Sequence, residues 1–409
     1  MKHPRKKMGF TLTELLVVVL VILLGISLVV PAMAKSKGDS MLQESMSNLM
    51  TLSVAHVLFA ADNEGRQVSY TVDDLSVYGS VQGYNDAHGC GGGDPWNPGC
   101  IPPIIAGWGE SFNGSVGVFA YWSHMGFHSW AFLPIGFPDG QGIDGFGNFR
   151  IGNAKRLHDY VNGRFYDPTF YAPKDTVAMA EIEPAFDDPF EFPTAFNPPT
   201  WISYVNSPAS MYHPDVMRSN AAGGWQDPWS IANGFESPGL FQATYPDLKT
   251  QIIEHNWLQN PPADCNPAGS CIGLPGDCTP YQFNHSINSA PASLFYDGHI
   301  RLLPNTEVLA ADLQVLKDTG GVDGLWHRGT SFGSDGYCIS YGYDGVPLSH
   351  HILTTDGIMG RDTLGGMSPL AGKSKHFDRS GWRKSIKPPS TDDDIDKPKT
   401  NWSIELLPD

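Results

Sequence analysis

The sequence predicts an α+β fold in which a long N-terminal helix packs on an antiparallel β-sheet with large loop insertions. Residues 10–34 are apolar almost without a break, and apolar residues then recur every three or four positions as far as Phe59. Residues 294–303 place apolar residues on either side of Asp297-Gly298, which is typical of a β-hairpin. The 45 glycines and 33 prolines of the chain favour turns and long loops elsewhere.

The first predicted element is the segment 10–34, which has the length and apolar character of a membrane-spanning helix. Four cations precede it, which predicts a cytoplasmic N-terminus and export of the rest of the chain. One carboxylate, Glu14, lies inside the segment, where an unpaired charge costs roughly 3 kcal/mol or more. Cleavage after Gly9 would place the new α-amino group of Phe10 one helical turn from Glu14. That amine could neutralise Glu14 of its own chain or of a neighbour, which predicts assembly through this helix.

A secretory signal peptide and a plain signal anchor are the alternatives for this segment. Ala32-Met33-Ala34 offers the small-residue cleavage site of a secretory signal, but the apolar run is long for one. Neither alternative accounts for Glu14. We therefore expect a processed helix that spans the membrane.

The helix is predicted to continue beyond the apolar segment to about Asp62. Apolar residues keep the three- and four-residue spacing over 41–59, and Gly65 can take the left-handed conformation that ends many helices. The helix would be about 80 Å long at 1.5 Å per residue. Its first half would lie in the membrane or in a filament core. Its second half would pack against the globular domain, with a weak point at Gly38.

The segment from Lys6 to Glu14 (KKMGFTLTE) closely resembles the leader and helix start of type IV prepilins and type II secretion pseudopilins. In that family a membrane peptidase cuts after the glycine and usually methylates the new amine. The resemblance implies that Gly9 and Phe10 form the processing site and that Glu14 sets the stagger between subunits. It also places Pro31 where many pilins carry a helix-kinking proline.

A second resemblance is to a large bacterial subgroup of pseudopilin-like proteins. The segment 58–65 resembles the end of that subgroup's long helix, which implies a pilin-like fold. The subgroup typically carries a histidine, a short spacer and an Asp-Gly pair near the end of its domain. Here His285 precedes Asp297-Gly298, with a spacer longer than is usual there. The residues alone predict a two-residue hairpin turn at Asp297-Gly298, because this pair readily supplies positive φ angles.

Composition and these resemblances divide the chain into four parts. After Pro304 an amphipathic pattern predicts a helix over 306–319 with Val308, Leu309, Leu313 and Leu316 on its apolar side. Aromatic and β-branched residues predict strands over 336–358. The four parts are a leader (1–9), a long helix (10–62, transmembrane over about 10–34), an exported α+β domain (63–385) and a Pro/Asp-rich linker with a C-terminal strand (386–409).

The cysteines are even in number, which is consistent with disulfides in an exported chain, but their pairing cannot be deduced from sequence. One pair is expected to close the loop 90–100 and a second to lie within 265–278. A zinc site is the alternative, although no Cys-x-x-Cys spacing is present. The candidates are Cys90, Cys100, Cys265, Cys271, Cys278 and Cys338.

Composition also limits the classes of partner and activity. The formal net charge of −17 argues against nucleic acid and anionic lipid, which bind through clustered Lys and Arg. The sequence has no Gly-x-Ser-x-Gly elbow and no phosphate-binding loop. His124 and His128 have the spacing of a helical metal pair but lack the acidic residue of the metalloprotease motif. His350-His351 would point to opposite faces of a strand. We therefore expect no enzymatic activity.

Two possibilities for ligands stay open. The acidic loops 139–148 and 392–396 could bind calcium, as a late loop does in major pseudopilins, but neither has an ordered ligand spacing. No other cofactor is expected. Tryptophans either pack in a β-rich core, which we favour, or line a sugar-binding face. These tryptophans are Trp96, Trp108, Trp122, Trp130, Trp201, Trp225, Trp229 and Trp257.

The function expected from the resemblance is that of a structural pilin or pseudopilin subunit. Its partners would be a prepilin peptidase, the bacterial inner membrane before assembly, and other subunits that contact its N-terminal helix. After assembly the exported domain would lie in a periplasmic or extracellular filament. The alternative is a membrane-tethered surface protein with a carbohydrate-binding or hydrolytic exported domain.

Overall fold

A computed structural model of the chain describes residues 12–69, 74–87, 104–110, 114–120, 132–137, 145, 147–193, 202–255, 265–266, 279–280, 284, 289–332, 336–337 and 346–366. The side chains of 12–15 and 17–34 lie outside this description. The helices are α1 (Leu12–Asp62), α2 (Val81–Ala87), α3 (Lys155–His158), α4 (Thr176–Ile182), α5 (Asn305–Asp318) and α6 (Val346–Ile352). The strands are β1 (Ile105–Glu110), β2 (Val116–Ala120), β3 (Tyr204–Asn206), β4 (Thr250–Glu254), β5 (Cys265–Asn266), β6 (Thr279–Pro280), β7 (Ala292–Phe295) and β8 (Ile300–Leu302).

Helix α1 is a single element of 51 residues that continues through Pro31 and Gly38 without interruption. Its end is set by Gly65, which has a φ of +79° and donates its backbone N–H to the carbonyl of Ala60 at 2.7 Å. Glycine takes this left-handed conformation without the steric cost that a Cβ brings. The predicted end of the helix at about Asp62 is therefore confirmed, together with its physical cause.

The central sheet has the strand order β3-β4-β7-β8, and each neighbouring pair is antiparallel. All residues of β3, β4 and β7 are buried, so the sheet is covered on both faces. One face, with Tyr204, Ile252 and Leu294, shares an apolar core with α1. The other face, with Val205 and Ile253, shares a second core with α5 and α6. The predicted α+β class is therefore confirmed.

The hairpin of β7 and β8 confirms two strands but corrects the predicted turn. The backbone N–H of Phe295 donates to the carbonyl of His299 at 3.0 Å, and the N–H of Gly298 donates to the carbonyl of Phe295 at 2.9 Å. The loop therefore contains three residues, Tyr296, Asp297 and Gly298, rather than two. Only Gly298 has a positive φ, +87°. This is the hairpin form in which a single left-handed glycine follows an ordinary turn.

Helix α5 starts after Pro304 as expected, and Val308, Leu309 and Leu316 of its predicted apolar side are buried. The exception is Leu313. Leu313 is 40% exposed, whereas Asp312 is fully buried. The carboxylate of Asp312 accepts hydrogen bonds from Arg328 Nη2 at 2.7 Å and from the backbone N–H of Leu325 at 2.9 Å. A buried charge is tolerated when it is paired in this way. This ion pair, which joins distant segments, has no signal in the helical pattern.

The strands predicted over 336–358 are wrong where the structure describes the segment. His350 and His351, which were expected on a strand, lie on helix α6. Both rings are buried. His351 Nδ1 lies 2.7 Å from Thr250 Oγ1, and its Nε2 lies 3.2 Å from the carbonyl oxygen of Val205. These contacts with the sheet hold the segment as a helix despite the β-forming residues around it, since local β-propensity is weak compared with tertiary contacts.

Several predicted elements fall on residues that the structure does not describe. They include the leader, the linker with its C-terminal strand (386–409), and the loop 90–100. A search of the described residues found no helix that is both long enough and apolar enough to cross a membrane.

The buried ring of His56, on the domain side of α1, predicts a pH dependence of stability. Burial lowers the pKa of His56 from the ordinary value of 6.5 to about 4. Between pH 4 and 6.5 the unfolded chain therefore carries a proton on His56 that the folded chain does not. The free energy of unfolding is unaffected by this group above about pH 6.5 and falls as the pH drops towards 4. The loss should approach roughly 3 kcal/mol.

Unfolding by guanidinium chloride at several pH values measures this effect. His56→Leu should flatten the fall in unfolding free energy between pH 6.5 and 4. His213→Leu, at a partly exposed histidine, is the matched control and should retain it. Parallel pH profiles for His56→Leu and the parent chain would contradict the prediction.

Candidate functional site

The sequence-predicted processing and assembly residues are only partly described by the structure. Gly9 and Phe10 lie outside it. Glu14 and Pro31 belong to the backbone of α1, and their side chains lie outside the description. The site can therefore be examined along the described second half of α1 and at its attachment to the sheet.

The outward face of α1 carries an apolar stripe, which we define as Met50, Val54, Val57 and Leu58. Each of these side chains is about half exposed, between 49% and 57%. Their spacing (i, i+4, i+7, i+8) places them on one side of the helix. The opposite side is buried in the first core through Leu49, Leu52, Ala55 and Phe59. An apolar helix is thus covered on one side only, and contiguous exposed apolar surface is typical of interaction sites.

A buried polar joint attaches α1 to the sheet; we define it as Ser45, Tyr204 and Glu254. Tyr204 and Glu254 are directly opposite each other on β3 and β4, so both side chains face the helix. Ser45 Oγ lies 2.7 Å from the hydroxyl oxygen of Tyr204 and donates a hydrogen bond to Glu254 Oε1. Burial raises the pKa of Tyr204, so its hydroxyl stays protonated at neutral pH.

The second carboxylate oxygen of Glu254 is also satisfied. Glu254 Oε2 accepts hydrogen bonds from the backbone N–H of Ala292 at 2.9 Å and from Asn284 Nδ2 at 3.1 Å. The side chain of Asn48 extends the attachment, because its Nδ2 lies 3.2 Å from the carbonyl oxygens of Pro168 and Tyr171. These contacts therefore link α1, three strands and a loop, and they fix the direction in which the helix leaves the domain.

The Asp297-Gly298 pair of the second resemblance forms the hairpin turn. Asp297 Oδ1 accepts the backbone N–H of His299 at 3.1 Å and lies 2.6 Å from His299 Nδ1. The neighbouring Tyr296 hydroxyl donates to Gln67 Oε1 at 2.5 Å, which ties the turn to the segment after α1. The pair thus has a structural position in the fold. His285 lies outside the described residues, so its predicted association with the turn stays a prediction.

A second buried polar cluster lies on the other face of the sheet. Lys249 Nζ and Asp362 Oδ2 are 2.8 Å apart, and both side chains are completely buried. Thr250 and Thr354 donate hydrogen bonds to Asp362 from their hydroxyl groups, at 2.5 Å and 2.7 Å. Sequence analysis missed this cluster, because no local pattern relates residues so far apart.

Most residues of the ligand predictions lie outside the described part of the chain. Among the described residues no group of three or more His, Cys, Asp or Glu side chains is placed to hold a metal ion. The acidic loop 392–396 and most of 139–148 lie outside the description. So do the histidines and cysteines named in the metal and disulfide predictions, which are His124, His128, Cys90, Cys100, Cys271, Cys278, Cys338 and the side chain of Cys265.

Three of the tryptophans considered for a sugar-binding face are described. Trp225 and Trp229 pack against the second core, as the core interpretation predicts. Trp108 is 49% exposed on β1, where its cross-strand partner is Val118. The others, Trp96, Trp122, Trp130, Trp201 and Trp257, lie outside the described residues.

Comparison with protein-family models, with curated proteins and with solved structures returned no match for this chain.

The polar joint predicts a large cost for neutralising Glu254. Its carboxylate accepts from three donors, and a glutamine amide replaces one acceptor oxygen with a donor. One donor would then face another in a buried site, so Glu254→Gln should lower the free energy of unfolding by about 1–3 kcal/mol. Denaturant unfolding at pH 7 measures the change.

Glu236→Gln is the matched control, because Glu236 forms a partly exposed ion pair with Arg66. Such pairs contribute about 0–1 kcal/mol. Equal effects of the two substitutions would show that the joint does not stabilise the attachment of α1.

Proposed function

We propose that this chain is a structural subunit of a filament of the type IV pilus or type II secretion pseudopilus kind, processed by a prepilin peptidase. The observation that carries the proposal is the resemblance of Lys6–Glu14 to the prepilin leader and helix start. In this proposal Gly9 and Phe10 form the cleavage site, and Glu14 pairs with the new amine of Phe10 in a neighbouring subunit.

The architecture supports the proposal in a second way. A pilin-like subunit needs a long helix that is apolar for assembly at its start and attached to a globular domain at its end. Helix α1 has 51 residues, and the joint and the first core hold its second half on the sheet. The first half, whose sequence is apolar, would span the inner membrane before assembly and enter the filament core afterwards.

The apolar stripe of α1 supports assembly independently of the leader. It lies on the side of the helix that the domain leaves uncovered, on the same helix as the apolar residues of the first half, from which residues 35–40 (KSKGDS) separate it. Helices of neighbouring subunits would cover it. Each half-exposed apolar side chain would then gain about 1 kcal/mol or somewhat more from burial.

Substitution of Glu14 tests the proposal directly. Intact mass of the protein from its native membrane should show a mature chain that begins at Phe10, with or without an added methyl group. Glu14→Ala should leave this processing unchanged but abolish filaments, because the apolar helix loses the charge partner of the Phe10 amine.

Glu44→Ala is the matched control on the same helix, at an exposed position beyond the apolar segment, and should assemble normally. Two results would contradict the proposal. One is a natural mature chain that starts at Met1 or after Ala34. The other is normal assembly of the Glu14→Ala variant.

A charge on the apolar stripe should also block assembly. Val57→Glu places a carboxylate at the centre of the surface that neighbouring helices would cover, and an unpaired buried charge is strongly unfavourable. Because Val57 is 57% exposed in the subunit, the variant should retain the melting temperature of the parent.

Val322→Glu makes the same change at a similarly exposed valine, 51%, away from α1. Electron microscopy of shear fractions should therefore show filaments for Val322→Glu and none for Val57→Glu. If both variants assembled equally, the stripe would have no role as a contact surface.

A further inference from the structure

Lys249 and Asp362 form an ion pair that the proposed function does not use. Lys249 directly precedes β4, an inner strand of the central sheet, and Asp362 lies in the last described segment, after α6. Their side chains are both 0% exposed, and Lys249 Nζ lies 2.8 Å from Asp362 Oδ2. The backbone N–H of Asp362 also donates to the carbonyl of Leu248 at 2.9 Å, so the two segments are in direct contact.

The two carboxylate oxygens of Asp362 have different partners. Oδ1 accepts one hydrogen bond, from Thr354 Oγ1 at 2.7 Å. Oδ2 faces Lys249 Nζ, the hydroxyl of Thr250 at 2.5 Å and the backbone N–H of Thr250 at 2.9 Å. Behind the hydroxyl, His351 Nδ1 lies 2.7 Å from Thr250 Oγ1.

We propose that Lys249 and Asp362 become joined by an intramolecular isopeptide bond after the domain folds. Lys249 Nζ attacks Asp362 Cγ, the Nζ–Cγ bond forms, and the Cγ–Oδ2 bond breaks. Oδ2 leaves as water and carries two of the three protons of the lysine ammonium group. The ammonium and carboxylate thus become one neutral amide and one water molecule, and no oxidant or further reactant is needed.

The surrounding hydrogen bonds suit each stage of this step. Thr354 Oγ1 stabilises the negative charge that develops on Oδ1, which becomes the amide oxygen. The proton that moves to Oδ2 comes directly from Lys249 Nζ, 2.8 Å away, and Thr250 and His351 can accept the hydrogen bonds that result. When Oδ2 is protonated it can donate to Thr250 Oγ1, and the threonine hydroxyl can turn to donate to His351 Nδ1.

Burial supports the step, because it opposes the charged forms of both groups. Burial lowers the pKa of Lys249, which makes the neutral, nucleophilic amine easier to reach. Burial also places the pKa of His351 well below its ordinary value, so its ring stays neutral and its Nδ1 can accept a hydrogen bond from Thr250. Burial alone would raise the pKa of Asp362, but the nearby charge of Lys249 holds it below its ordinary value. The reaction therefore begins with proton transfer inside the pair, and the fixed proximity of the two groups favours the attack.

The chain contains a natural comparison for this pair. Lys155 Nζ lies 2.5 Å from Glu191 Oε1, but these side chains are 35% and 29% exposed. Water competes for both groups there and favours the separated ions. The buried pairs of Asp312 and Glu307 have arginine partners, and a guanidinium is not deprotonated in proteins and is not a nucleophile. Lys249 and Asp362 differ from the Lys155–Glu191 pair because they are fully buried. They differ from the two arginine pairs because a lysine amine can lose its proton and act as a nucleophile.

The bond would link the start of an inner strand to the end of the described domain. Three strands of the sheet (β4, β7 and β8) and the helices α5 and α6 lie between the two residues in sequence, so unfolding under tension could not extend this part of the chain. This inference does not rest on the proposed function, because it concerns a reaction inside one subunit. Its test therefore fails or succeeds separately from the filament experiments.

Peptide mapping of the full chain by mass spectrometry, after reduction and alkylation of cysteines, is the test. A modified Lys249 resists trypsin, so the expected product is a branched peptide in which residues 219–301 are joined through Lys249 to residues 362–373. Its mass should be the sum of the two peptides less one water. Lys155 and Glu191 should be recovered unlinked from the same digest.

Lys249→Arg keeps the positive charge but removes the nucleophile, and no branched peptide and no loss of water should be found in that variant. Cleavage after Lys249 in the folded natural chain, with the unlinked peptide 362–373 recovered in full, would overturn the proposal. That result would leave the pair as a buried ion pair. The natural chain alone gives this answer, so the conclusion does not depend on the folding of the variant.

Discussion

The attachment of α1 to the central sheet is the constraint on which the other features depend. An amphipathic helix gains about 1.5–3 kcal/mol for each large apolar side chain that it buries, here including Leu49, Leu52 and Phe59. That gain is not directional, since an apolar face can slide or rotate on another. The hydrogen bonds among Ser45, Tyr204 and Glu254 remove this freedom, because a shift of α1 would take Ser45 away from Glu254 Oε1 and from the Tyr204 hydroxyl inside a buried site. Apolar burial thus supplies the stability, and the polar joint selects one arrangement.

The two faces of the sheet carry contrasting polar clusters. On the α1 side the donors to the carboxylate of Glu254 among the described residues are neutral, namely a hydroxyl, an amide and a backbone N–H. On the other side Asp362 faces the ammonium group of Lys249. The first arrangement holds a helix in place, while the second brings together two groups that can react with each other. Both depend on the complete burial of β4, which presents Glu254 to one cluster at its end and Thr250 to the other at its start.

Features set by a few neighbouring residues could be predicted from the sequence, and features set by distant contacts could not. Gly65 ends α1 as expected, because a left-handed glycine acts on the adjacent turn alone. Ser45 lies in the predicted long helix, yet its partner Glu254 is 209 residues away and has no sequence signal. The same limit explains why the burial of Asp312 had no sequence signal and why the strand predicted around His351 is wrong, because contacts with groups elsewhere in the chain decide both. It also explains the hairpin, whose strands were predicted but whose loop length was set by the register of the pair.

Because α1 continues through Pro31 and Gly38, a small change of angle at its attachment moves its N-terminal end by a large distance. From Ser45 to Leu12 the rod extends about 50 Å beyond its attachment. A tilt of about 10° at the joint would move the far end by roughly 9 Å, nearly the diameter of a helix. A small error in the position of one buried serine hydroxyl is thus magnified into a large displacement at the other end. The accuracy with which the N-terminal segment is positioned therefore depends on contacts inside the globular domain, far from the residues of that segment.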